Sequence, residues 1–195
     1  EFRHRPIDVL TPGVLALAVM STAFTSLAIA TGFERRYGVI KRLGSSPLPR
    51  HGLLLGKVSA LLLIEALQVV VISSVALALG WQPHLDPVAI VLSLTLATAA
   101  FASLGLLIAG VLRAEATLAV ANLIYLLLMA GGAVVVPAEQ YGALGTVAQW
   151  LPSGALGEAM RAALIESALD VRALLVLLAW TIVGGLLAGR YFTWE

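Results

Sequence analysis

Few side chains in this sequence are equipped for chemistry, and their spacing decides which chemistry is open to them. Three histidines, His4, His51 and His84, stand far apart in separate connecting segments and lack the short ligand spacing of a zinc site. There is no cysteine, which removes disulfides, thiolate metal ligands and a thiol nucleophile. The stretch Gly52-Leu53-Leu54-Leu55-Gly56-Lys57-Val58 shares the Gly-Lys ending of a phosphate-cradling loop, but the hydroxyl residue that should follow is missing and the stretch opens an apolar run. Glu65 is a carboxylate inside a long apolar run, with Gln68 one helical turn further on the same face. No His or Ser stands one turn from it, so a nucleophile with a base in reach is not formed in this helix. The chain is therefore expected not to be an enzyme, and to bind no metal or cofactor of its own.

The elements that must position these residues follow from composition. The chain is 60% hydrophobic and 12% charged with a mean hydropathy of +0.98, well outside the soluble range of about 45–50% apolar and 25% charged. An all-α polytopic membrane bundle is predicted. Its basic residues form no aromatic-interleaved patch, so no nucleic-acid partner is expected. Runs long enough to cross a bilayer, about 20 residues each, cover 12–33, 58–79, 88–112, 116–136 and 173–191; the second, with its basic lead-in, extends over 50–79, and the last over 172–191.

Orientation follows from Lys and Arg in the short connections, which favour the cytoplasm. The polar stretch Glu34-Arg35-Arg36-Tyr37-Gly38-Val39-Ile40-Lys41-Arg42-Leu43-Gly44-Ser45-Ser46-Pro47-Leu48-Pro49-Arg50 holds five of the twelve Lys and Arg residues. Placing it inside puts eight basic residues in and four out, the outer ones being Arg3, Arg5, Arg161 and Arg172. Residues 1–11 then form an outer loop and the C-terminus is cytoplasmic. A sixth span ahead of Glu1 is expected, because nothing in the chain would export that basic start.

Phe33, Tyr37, Ile40 and Leu43 fall at helical spacing, which predicts a short surface helix with Arg35, Lys41 and Arg42 toward water. Gly38 weakens it, and Ser45–Pro49 breaks it; Ser46 and Pro47 suit the N-cap and first residue of the next helix. Glu65 costs about 2.5–3.5 kcal/mol at bilayer depth on insertion scales, so it should face protein or water; lining a transport path and burial against a polar partner both stay open. Arg113-Ala114-Glu115 is so tight a connection that the third and fourth spans are expected to pack as an antiparallel hairpin, with small residues such as Ala97, Ala100, Gly105 and Gly110 allowing close approach. Asn122 is expected to bond to another helix. Trp81 suits the interfacial aromatic belt. Between Gly131-Gly132 and the last span, 137–171 reads as two short helices dipping into the outer interface, divided by Trp150-Leu151-Pro152-Ser153-Gly154, with Ser153 an N-cap.

The segment Pro12-Gly13-Val14-Leu15, followed by Phe33 to Pro47, Arg50 and Gly56-Lys57, closely resembles the membrane subunits of ABC-2 type exporters. That family's pattern runs from a Pro-Gly at the start of a span through an acidic residue, Gly, a basic pair with Leu, Thr/Ser-Pro and Arg to Gly-Lys. Ser46 stands where Thr is commoner and Arg36 where a second acid is common. Gly131-Gly132, Pro137 and Trp150-Leu151-Pro152, followed by Ala159-Met160-Arg161, resemble the family's two outer re-entrant helices.

The resemblance implies the permease subunit of a multi-pass exporter in a bacterial plasma membrane, dimerised with an identical or different permease. It implies a separate ATP-binding cassette ATPase on the cytoplasmic face, with ATP and Mg bound there. Residues 34–49 then hold the coupling helix and break, with Glu34, Arg35, Arg36, Tyr37, Lys41 and Arg42 docking the ATPase. Glu65 and Gln68 are translocation-path candidates, and Pro137, Trp150 and Pro152 outer-gate candidates. A hydrophobic or amphiphilic cargo, drug-like or lipid, is expected. The alternatives are a polysaccharide or teichoic-acid exporter, disfavoured by the few aromatics in the spans (Phe24, Phe101, Tyr125, Trp180), and a non-transporting membrane scaffold for an ATPase.

Overall fold

The computed structural model describes residues 6–39 and 50–191, with side chains given outside 50–55. Every regular element among them is helical: α1 (Pro6–Met20), a π-helical turn (Ser21–Ser26), α2 (Leu27–Arg36), α3 (Arg50–Ala78), α4 (Pro87–Val111), α5 (Ala114–Gly131), a short 3-10 turn (Ala138–Tyr141), α6 (Ala143–Ala148), α7 (Pro152–Arg161), a second π-helical turn (Ala162–Glu166) and α8 (Val171–Tyr191). Five helices are long and apolar enough to span a membrane, the first running unbroken from Pro6 to Arg36.

That first helix begins six residues before the apolar run expected at 12, and residues 6–11 are helix rather than outer loop. Pro6 opens the first turn, where its missing N–H costs nothing, and Asp8 lies in the same turn, at the positive end of the helix dipole. At the other end the surface helix expected across Phe33–Leu43 is interrupted. Glu34–Arg36 form the last turn of α2, the chain turns at Tyr37, and Gly38 takes a φ of 67° that other residues adopt only with strain. Lys41, Arg42, Ser46 and Pro47 lie outside the described residues.

α4 is the centre of the bundle. Asp86 caps it, its side chain accepting from the Val88 and Ala89 amides at 3.0 and 3.1 Å, with Pro87 in the first turn. The small residues of α4 serve α8 and the first span rather than α5, so the expected tight hairpin of spans three and four is replaced by a loose one. The reason is local. A Cβ at Gly105 would sit 2.8 Å from the Phe24 carbonyl oxygen, and one at Gly184 would sit 2.3 Å from Ser103 Oγ; helices this close occupy the small-residue face of α4. α5 packs instead on α2, through Ala114, Thr117 and Ala121, and Asn122 lies on its exposed side with no hydrogen bond among the described residues.

The helical part of the fourth run stops at Gly131 rather than Val136. Beyond it Ala133 adopts a φ of 52° and the backbone turns back into the protein, where Ala133 and Val134 are fully buried. α7 is buried along nearly its whole length between the first span, α4 and α8, a more interior place than the interface expected for it. Its N-cap position is Leu151, not Ser153; Ser153 Oγ donates to the Gly132 carbonyl instead, at 3.3 Å. Trp81 is also interior: after α3 ends, its amide bonds to the Ala76 carbonyl at 2.9 Å and folds the indole into the core, 5% exposed.

Candidate functional site

Three groups of polar residues punctuate the apolar bundle, and they occupy three separate levels. The first is at the Arg36 end. Arg35 and Arg36 sit in the last turn of α2, where cations favour the negative end of the helix dipole. Glu34 is unfavourable there by the same argument, and it forms an ion pair with Lys57 of α3; Lys57 also reaches Thr31 Oγ1 at 3.4 Å. Arg36 pairs with Glu115 in the first turn of α5. Its guanidinium lies 5.8 Å from the centre of the Tyr37 ring, which stacks on Phe33 at 6.1 Å.

Arg35 does not face water as its sequence position suggests. It donates to the carbonyls of Ala109 and Leu112, two of the acceptors that the end of α4 would otherwise leave without partners. Three consecutive residues of one helix thus engage α3, α4 and α5 at once. Where α2 meets the end of α4 and the start of α5 opens a cleft of about 380 Å³ lined by Gly32, Arg35, Arg36, Leu112, Arg113 and Glu115.

The second group is in the middle of α3. Leu61, Glu65 and Ala76 are its buried residues among those described, and Gln68 and Ile72 are half-buried. Glu65 is 6% exposed and its Oε2 accepts from Thr98 of α4 at 2.8 Å. Gln68 Oε1 accepts from Thr22, in the π-helical turn of the first span, at 2.9 Å. These threonines carried no mark in the sequence, being hydroxyls in helices full of small residues; only the pairing of helices reveals them.

The third group is at the opposite end, where Pro137, Trp150 and Pro152 fall in different surroundings. Pro137 leads into the 3-10 turn, Pro152 is buried at the start of α7, and Trp150 is exposed, its carbonyl accepting from Trp180 Nε1 at 2.9 Å. Sequence reasoning missed the residue that organises this end. Arg161, 6% exposed, donates to the Val134 and Ala133 carbonyls at 3.1 and 3.0 Å and pairs with Glu158 at 2.9 Å. Glu158 Oε1 in turn accepts from the Ala138 amide at 3.2 Å. The signal was present as an acid and a base three residues apart in a short helix of Gly, Ala, Leu and Met. Among the described residues no cluster of His, Asp and Glu is placed to hold a metal ion.

Comparison with curated proteins and with solved structures finds no match. Residues 2–165 match the model of the ABC-2 type transporter family, a span that takes in α1 to α7 and all three polar groups. On that match over most of its length, the chain belongs to the ABC-2 type transporter family.

Proposed function

We propose that this membrane domain is the permease subunit of an exporter driven by a separate ATPase, which docks beside Glu34, Arg35, Arg36 and Tyr37 on the cytoplasmic side. The observation that carries the reading is the convergence of three spans on one helical turn. A force applied at the end of α2 reaches α3 through Glu34–Lys57, α4 through Arg35 and α5 through Arg36–Glu115. A rigid-body displacement there moves the bundle rather than a single loop. ATP and Mg belong to the partner, and this chain supplies the path.

The cargo is hydrophobic or amphiphilic. α5 exposes Leu118, Leu123, Leu126 and Leu127 around the single amide of Asn122, a face suited to an apolar solute and to a second permease subunit, identical or homologous. A sugar polymer would call for exposed aromatic rings, but Phe24 and Phe101 are 1% and 0% exposed and packed edge to face at 6.4 Å.

The test is the transporter co-purified with its ATPase and reconstituted in vesicles. Arg36→Glu is expected to leave ATP hydrolysis running while export of a fluorescent hydrophobic cation falls severalfold, and the exchanged pair Arg36→Glu with Glu115→Arg to recover part of it. Export unaffected by the single reversal would remove this turn from coupling.

A further inference from the structure

In an antiparallel helix pair the numbers of facing residues have a constant sum, and the first span and α3 keep that sum along their length. It is 90 for Thr22–Gln68 and 91 for Glu34–Lys57, and beyond the end of α3 the Gln82 amide donates to Asp8 Oδ1. Three residues beyond Thr22, within the same π-helical turn, lies Thr25, and three before Gln68 lies Glu65, so the register brings these two to about the same level of the bundle. Both carry a buried oxygen with no hydrogen-bond partner among the described residues: Thr25 Oγ1 and Glu65 Oε1. Glu65 Oε2 is already bonded to Thr98, so the open oxygen is the one left over.

Among the described residues no cation pairs with this carboxyl. The first span has no ionisable residue between Asp8 and Glu34, and α4 has none at all. On α3 itself the nearest charge is Lys57, about two turns away at roughly 1.5 Å per residue, and it is paired with Glu34. A buried carboxylate without a counter-charge is among the most costly groups a membrane interior can hold. A sodium ion would need several oxygens closing around it, whereas a proton needs one.

We propose that Glu65 is a proton-binding site within the membrane domain, with the Thr25 hydroxyl as the facing wall of that site, joined to it through a bridging water. The π-helical turn at Ser21–Ser26 is what makes room: its wider backbone is a recurrent feature of functional sites in helices. With the proton in place α3 lies against the first span and α4; without it the charge is unpaired and α3 is the helix released, since its remaining faces are exposed.

The experiment uses the purified protein in lipid vesicles. At neutral pH infrared spectroscopy is expected to show the carbonyl band of a protonated carboxyl, absent from Glu65→Gln and displaced in Thr25→Val. A second readout needs no variant. Dicyclohexylcarbodiimide adds across the carboxyl, its central carbon bonding to the carboxyl oxygen and the proton passing to nitrogen, after which acyl migration leaves a stable acylurea on the peptide containing Glu65. This labelling is expected to fall as pH rises and to be the same in sodium and choline buffers. A neutral-pH spectrum with no protonated carboxyl band overturns the proposal. Labelling and band that disappear in sodium but not in choline would make this a sodium site instead, and an unchanged band in Thr25→Val would remove Thr25 from it.

Discussion

Arg36 and Arg161 are the same side chain put to opposite uses at the two ends of the bundle. Arg36 and its partner Glu115 are each about half open to solvent, so the pair can part and re-form at little cost. Arg161 is buried, and every bond it makes goes to a backbone carbonyl or to Glu158. Around it the glycines are packed so closely that a Cβ at Gly154 would lie 2.0 Å from the Ala148 carbonyl oxygen, and one at Gly157 would lie 2.8 Å from that of Val134. One end of the molecule is held by exchangeable charge and the other by backbone that has nowhere to go. On the function proposed above, the first is the surface that receives a push and the second the fixed point against which the push does work.

The contrast can be broken most severely at Arg161. Arg161→Met keeps the bulk but leaves two buried carbonyls and Glu158 without their partner, and is expected to lose about 3–5 kcal/mol, read as a large drop in unfolding temperature in detergent. Gly154→Ala forces a methyl into the Ala148 carbonyl and is expected to cost about 1–3 kcal/mol, measured the same way. Arg36→Glu should sharpen the comparison by its mildness: less than about 1 kcal/mol of stability, together with the loss of coupling described above. A fall for Arg36→Glu as large as that for Arg161→Met would erase the distinction.

Much of the fold was legible in the sequence because lipid imposes a length. Five apolar runs gave five helices, and Gly131-Gly132 and Trp150-Leu151-Pro152 announced the two breaks that matter. Packing was less legible. Small residues in α4 signal a close neighbour without saying which, and the short Arg113 connection pointed to α5 when Gly105 is turned to Phe24 of the first span and Ser103 to Gly184 of α8. Counting basic residues by loop treated Arg161 as a topological marker, although its charge is inside the protein. Trp81 was misplaced for a similar reason: a tryptophan after a helix suits an interface unless the chain folds it back, and the bond to Ala76 is set by tertiary structure. Glu34–Arg36 end the span helix where a separate surface helix was expected to begin, and the capping of α4 by Arg35 depends on where two distant helices end.

The burial of α7 also fixes an order of assembly. The first span and α4, whose faces it fills, leave the ribosome well before it, and α8, the largest partner of α4, comes last. Until then the faces that α7 and α8 will cover have only lipid to pack against, with no hydrophobic drive to bring them together. The domain is therefore obliged to insert first and close late, and its half-made forms are the ones most exposed to quality control.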